Sequence, residues 1–219
     1  MIVKITGCYT FILISGLRMK KDSLNILPNG FYLRSNVVEV ARDLLGKVLC
    51  TEIDGQLCKG KIIEVEAYSG SHDKACHANN GKRTPRTEVM YQQGGCAYVY
   101  LCYGIHHLFN VVTNKEGTAD AVLIRALEPV KGQYIMAERL KSNNKKLTNG
   151  PGILAKSMGI TTQLTGALLH ESSVWIEEGE MVEDYQIIET TRVGVDYAEE
   201  DALLPWRFYV KNNPWVSKK

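Results

Sequence analysis

The 219-residue chain has no Cys-x-x-Cys pair, no internal repeat, no low-complexity tract and no clear linker. Its six cysteines, at positions 8, 50, 58, 76, 96 and 102, lack the spacing that would anchor a structural zinc site, and a chain this long needs no stapling. Reduced thiols in a cytoplasmic protein are expected. Long apolar runs are missing too. The patch from Tyr9 to Ile14 is too short to span a bilayer and no convincing secretory cleavage site accompanies it, so no membrane role is expected. Residues 1–30 read as a loosely attached extension of uncertain role, with Met19 as an alternative start. Strong net charge is also absent, at +2.

What is there is an ordinary globular composition, 45% apolar and 23% charged, enough for a real core in one domain over residues 31–219. The small net charge conceals segregation. Residues 131–146 carry Lys131, Arg139, Lys141, Lys145 and Lys146 against Glu138 alone, whereas residues 171–189 carry seven acids and no Lys or Arg. A chain so divided can have one basic and one acidic face, and nucleic acid stays open as a partner.

Periodicity outlines a mixed α/β (α+β) domain with a mainly antiparallel sheet. Val37, Val38, Ala41, Leu44 and Leu45 form a helical stripe over 37–45, with Ser35 or Asn36 as cap and Gly46 as stop. A strand over 47–51, a turn at Asp54-Gly55 and a return strand over 61–68 follow. Residues 69–95 form a long polar connection, a length that in a compact domain is usually functional. Strands are expected over 97–103, 108–113, 120–127 and 207–210, and helices over 133–141 and 153–158.

The return strand, Ile62-Ile63-Glu64-Val65-Glu66-Ala67-Tyr68, holds two carboxylates in an apolar run. Alternation places Glu64 and Glu66 on one face and Ile63, Val65 and Ala67 on the other. A carboxylate there is costly unless it is paired or does chemistry. Either glutamate could serve as a general base, with Arg125 holding it or a water. Paired acids also fit a nucleoside or sugar hydrolase. The aromatic run Tyr98-Val99-Tyr100-Leu101-Cys102-Tyr103-Gly104 offers flat surfaces for a planar ligand, or simply core packing. At a hairpin tip Tyr103 would be exposed and able to wedge between bases. Lys82, Arg83 and Arg86 suit phosphate contacts, which would also serve a non-catalytic nucleic-acid-binding module. His72, Cys76, His77, Cys96 and Cys102 make a weak alternative zinc set.

Taken in order, Glu64-Val65-Glu66-Ala67-Tyr68, His77, Thr84-Pro85-Arg86, Tyr98-Val99-Tyr100, Tyr103-Gly104, Asn110, Arg125-Ala126-Leu127-Glu128-Pro129 and Arg192-Val193-Gly194 resemble the alkyladenine (3-methyladenine) DNA glycosylase family. The resemblance runs from Val37 through Ser217. It implies a single compact domain with a curved, mainly antiparallel sheet, flanking helices and a protruding β-hairpin that enters DNA. It also implies a monofunctional hydrolase of N-glycosyl bonds in base excision repair, monomeric, acting on damaged double-stranded DNA in the bacterial cytoplasm and nucleoid without cofactor or metal. By the same resemblance Glu66 activates water, held by Arg125 and the Val193 carbonyl. Tyr68, His77 and Tyr100 surround the flipped base, Asn110 disfavours guanine, and Tyr103 fills the gap left in the helix. Thr87 and Gly94-Gly95-Cys96 depart from the common family pattern, in loops.

Overall fold

The computed structural model describes residues 25–141 and 146–218. The apolar patch at Tyr9–Ile14 and Met19 lie outside them. Helix α1 (Asn29–Tyr32) and helix α2 (Val37–Leu44) precede strands β1 (Val48–Ile53) and β2 (Gln56–Tyr68). After a connection of short 3-10 turns come β3 (Ala97–Cys102), β4 (His106–Thr113) and β5 (Asp120–Lys131). Helices α3 (Gln133–Leu140) and α4 (Pro151–Met158) then lead to β6 (Val174–Glu177), β7 (Ile187–Thr190) and β8 (Arg207–Val210).

Local chemistry explains these boundaries. The Asn36 side chain caps α2, its amide oxygen accepting from the N–H groups of Val38 at 3.0 Å and Glu39 at 3.3 Å. Gly46 follows with φ +83°, and an added Cβ would lie 2.0 Å from the Glu180 carbonyl, so glycine is required twice over. Asp54 and Gly55 both have positive φ, 54° and 72°, the geometry of a tight hairpin turn whose twist matches its strands. That turn lets β1 and β2 pair from Ile53↔Gln56 onward, so β2 starts five residues before the expected 61.

The sheet is curved and the pairings between its named strands are all antiparallel, in the order β3-β4-β5-β2-β1-β6. Strand β2 is its axis. One edge pairs with β5; the other pairs with β1 along its first half and with β8 over Glu64–Glu66. Register shifts against β5 on both sides of Glu64 mark a bulge. The bulge corrects the simple two-face alternation. Ile62, Val65 and Ala67 enter the main core, while Ile63 joins a small cluster with Ala126 and Val216. Residues 25–27, expected in the extension, already belong to the fold. Ile26 bridges Glu177, and Leu27 is buried and donates its N–H to the Ile176 carbonyl at 2.9 Å.

Five of the seven acids of the acidic segment pair with Lys or Arg of the same domain. Glu177 pairs with Lys59, Glu178 with Lys47, Glu180 with Lys61, and Asp184 and Glu189 with Arg42. Among the described residues no helix is long and apolar enough to cross a membrane.

Candidate active site

A cavity of about 390 Å³ opens beside the C-terminal half of β2, between the β3–β4 hairpin, the polar connection after β2 and the segment Val193–Tyr197. Its size suits a purine-sized ligand. Glu66 and Arg125 line it; Glu64 does not.

The two glutamates, which residue pattern leaves equivalent and only the family resemblance tells apart, have different surroundings. Both are fully buried. Glu64 Oε1 accepts from Arg125 Nε, Arg207 Nη1 and Ser217 Oγ, each at 2.9 Å, and its Oε2 accepts from the Ser217 N–H at 2.6 Å. That carboxylate is saturated and shut away from the cavity. Paired-carboxylate sugar hydrolysis therefore lacks its second acid. Glu66 Oε1 accepts from the Val193 N–H at 2.7 Å and faces Arg125 Nη1 at 3.2 Å, while Oε2 accepts from the Tyr68 hydroxyl at 2.8 Å. Val193 thus reaches Glu66 through its amide N–H, whereas the expected role concerned its carbonyl. Burial pulls the Arg125 pKa down, but the charges of Glu66 and Glu64 outweigh it and the net shift is upward. Burial, with Glu66 adding to it, lifts the Tyr68 phenol well above its ordinary value, so Tyr68 remains a proton donor.

Arg192 anchors the Val193 segment, and sequence reading gave it no task. It is buried between the ring faces of Tyr68 and Trp206, at 4.9 and 5.2 Å, pairs with Asp73 at 2.9 Å, and donates to the Ala67 carbonyl at 2.9 Å. It ties the connection after β2 to the segment carrying Val193. Its one sequence signal was its place before Val193-Gly194.

The aromatic wall gathers Tyr100, Tyr98 and His77. Tyr98 and Tyr100 occupy the same face of β3 with ring centroids 5.5 Å apart, and His77 meets Tyr100 edge-on at 4.6 Å. His77 Nδ1 lies 2.9 Å from the Tyr98 hydroxyl. Burial, then Arg86 and Lys82, lower the His77 pKa to about 4, so its ring is neutral at pH 7. Asn110, almost wholly buried on β4, donates its amide N–H groups to the carbonyls of Tyr98 at 3.1 Å and Leu108 at 3.4 Å while lining the cavity.

Beyond the wall the hairpin projects. Tyr103 and Gly104 form its tip with φ 50° and 72°, closed by the Ile105 N–H on the Cys102 carbonyl at 3.1 Å. Tyr103 is 92% exposed. A core role for this tyrosine is ruled out by that exposure alone.

The three basic residues of the connection separate. Lys82 is exposed, and Arg83 pairs with Glu88 at 3.0 Å over the Tyr91 ring. Arg86, exposed like the other two, lies along the cavity rim. The thiols Cys76 and Cys96 of the zinc alternative lie in a buried apolar cluster. Burial pushes Cys76 up to about 12 and Cys96 up to about 11, and among the described residues no three His, Cys, Asp or Glu are grouped to hold a metal.

The family described as methylpurine-DNA glycosylase (MPG) matches residues 30–214 of this chain. The chain belongs to that family. A relative from Clostridium botulinum (strain Alaska E43 / Type E3) is 46% identical over 204 residues, covering 89% of this chain and all of the relative. Others, from Desulfitobacterium hafniense (strain Y51) and Bacillus cereus (strain B4264), are 48% and 46% identical over 88% of this chain and 98% of their own lengths. All three carry the provisional name 3-methyladenine DNA glycosylase. The matched span contains Glu66, Tyr68, His77, Tyr103, Asn110, Arg125 and Val193, and so the whole of the cavity just described.

Proposed function

We propose that this protein is a monofunctional DNA glycosylase that draws a damaged purine out of duplex DNA and hydrolyses its N-glycosidic bond with a water activated by Glu66. The observation that carries the reading is the division of labour between the two glutamates: one is sealed by four hydrogen bonds, the other borders a purine-sized cavity. Water attacks C1′ and passes a proton to Glu66, while the C1′–N bond breaks and its electron pair leaves with the base. Arg125 and the Val193 segment fix the carboxylate, and Arg125 and the Val193 carbonyl hold the water. Tyr100 and His77 face the flipped base and Tyr68 steadies the carboxylate beneath it. Tyr103, exposed at its hairpin tip, occupies the space the base vacates. The double anchorage of Asn110 keeps its amide fixed in the cavity, where it excludes the exocyclic amino group of guanine. Lys82, with its charge outside the cavity, meets DNA phosphate.

Alkylated purines such as 3-methyladenine and 7-methylguanine carry a positive charge that departure neutralises, so they leave readily. Neutral hypoxanthine and ethenoadenine leave with more difficulty, and 3-methyladenine is expected to be released faster than hypoxanthine. The protein acts as a monomer on damaged double-stranded DNA in base excision repair in the bacterial cytoplasm.

The deciding experiment is single-turnover excision by Glu66→Gln. The amide preserves shape but cannot take the proton, and the rate should fall by about 10²–10⁴-fold with DNA affinity largely kept. Normal excision by a folded Glu66→Gln protein would sink the assignment, and a non-catalytic DNA-binding module would show no base release from either protein.

A further inference from the structure

Arg86 belongs to a basic run that suits phosphate, yet its side chain is engaged elsewhere. Its Nη2 lies 3.1 Å from His77 Nε2, its Nε donates to the Tyr98 hydroxyl at 3.3 Å, and its guanidinium lies over the Tyr100 ring, 4.8 Å from the centroid. Three members of the aromatic wall therefore hold one cation. Its neighbour Arg83 is neutralised by Glu88, whereas Arg86 ion-pairs with no carboxylate among the described residues. The result is an uncompensated positive charge bordering the cavity that contains Glu66.

We propose that Arg86 is a specificity-determining residue of the base pocket, whose fixed charge favours neutral damaged purines over formally cationic alkylpurines. This rests on the glycosylase reading above. Arg86 is itself exposed at the cavity rim, so a cationic base in the pocket meets a like charge that solvent partly screens. A neutral base gains in the transition state. As the C1′–N bond breaks and water supplies the oxygen that replaces it, the electron pair gives the departing neutral purine a negative charge. Arg86 stabilises that charge until solvent protonates the base. The same departure leaves a cationic base uncharged, with nothing for Arg86 to stabilise. Arg86 thereby narrows the intrinsic advantage of cationic lesions without reversing it. The lowered pKa of His77 fits this placement, since Arg86 is one of its causes and a neutral imidazole adds no second positive charge.

The test is single-turnover excision from matched duplexes carrying either hypoxanthine or 7-methylguanine, by wild type, Arg86→Gln and Arg86→Lys, with DNA affinity measured across a salt series. Arg86→Gln should lower the hypoxanthine rate relative to the 7-methylguanine rate about tenfold. Arg86→Lys should keep most of the wild-type ratio because it keeps the charge, and the salt dependence of binding should be unchanged. Equal losses on both lesions, with the salt slope reduced by about one, would identify a phosphate contact and overturn the proposal. A ratio shifted as far in Arg86→Lys as in Arg86→Gln would also overturn it, by making the guanidinium fork and not the charge responsible. The Glu66 reading stands or falls separately, on base release by the wild type and its loss in Glu66→Gln.

Discussion

The Tyr68 hydroxyl donates a 2.8 Å hydrogen bond to Oε2 of Glu66, two residues earlier on the same strand. Residues i and i+2 of a strand share a face, so the contact is built into the local backbone and needs no distant element. It gives Glu66 a fixed orientation at the cavity margin. Removing that hydroxyl should loosen the carboxylate without removing it.

Tyr68→Phe is therefore expected to cost about 1 kcal/mol of transition-state stabilisation, roughly fivefold in the single-turnover rate. DNA affinity should change little, because the ring remains. Measuring rate and affinity side by side checks this. A rate equal to wild type would remove Tyr68 from the support of Glu66.

Glu64→Gln should behave unlike Glu66→Gln. Arg125 and Arg207, both nearly buried, converge on Glu64, and neutralising it leaves Arg207 without its carboxylate and Arg125 with Glu66 alone. Breaking a buried ion network of this kind costs about 3–5 kcal/mol. Urea unfolding should show that loss for Glu64→Gln and a smaller one for Glu66→Gln. Equal stability of the two variants would contradict the structural role given to Glu64.

Tyr103→Ala should leave stability within about 0.5 kcal/mol, since the ring is 92% exposed and supports no core. Excision from a fully paired duplex should nonetheless fall, because the opened base then has no competitor for its vacated space. The deficit should shrink when the damaged base is already mispaired. Base-opening fluorescence beside excision separates these effects, and an unchanged opening equilibrium would count against the wedge.

His77 predicts an acid sensitivity. Its folded pKa, about 4, lies below the ordinary histidine value near 6.5, so between these pH values the unfolded chain binds the extra proton. Stability should be fully present above about pH 6.5, decline as pH falls toward 4 and level off below it with respect to this group. Denaturant midpoints across that window should slope more for wild type than for His77→Gln. Identical slopes would show that His77 does not titrate in this way.

Much of the framework was legible in the chain because it depends on near neighbours. The α2 stripe, the Asn36 cap, the Asp54-Gly55 turn and the hairpin ending at Tyr103-Gly104 are set by side-chain period and by backbone φ within a few residues. The ordered family residues pointed to the chemistry. The length of β2 was not legible, because a strand extends as far as its partner continues, and β1 runs to Ile53. Nor was the bulge that sends Ile63 away from Val65, since it arises in the register with β5.

Sequence by itself determined that two carboxylates lie in a buried strand near an aromatic hairpin. Only tertiary structure decided which one faces the cavity. Arg207 and Ser217, 143 and 153 residues from Glu64, satisfy that carboxylate, while Val193, 127 residues from Glu66, supports the other and leaves it bordering open space. Arg86 follows the same rule. The chain fixes its charge, but its direction depends on where the folded connection sets it against His77, Tyr98 and Tyr100. Backbone preferences act over a turn or two, whereas burying a charge requires partners from wherever the fold brings them, and no local pattern encodes that meeting.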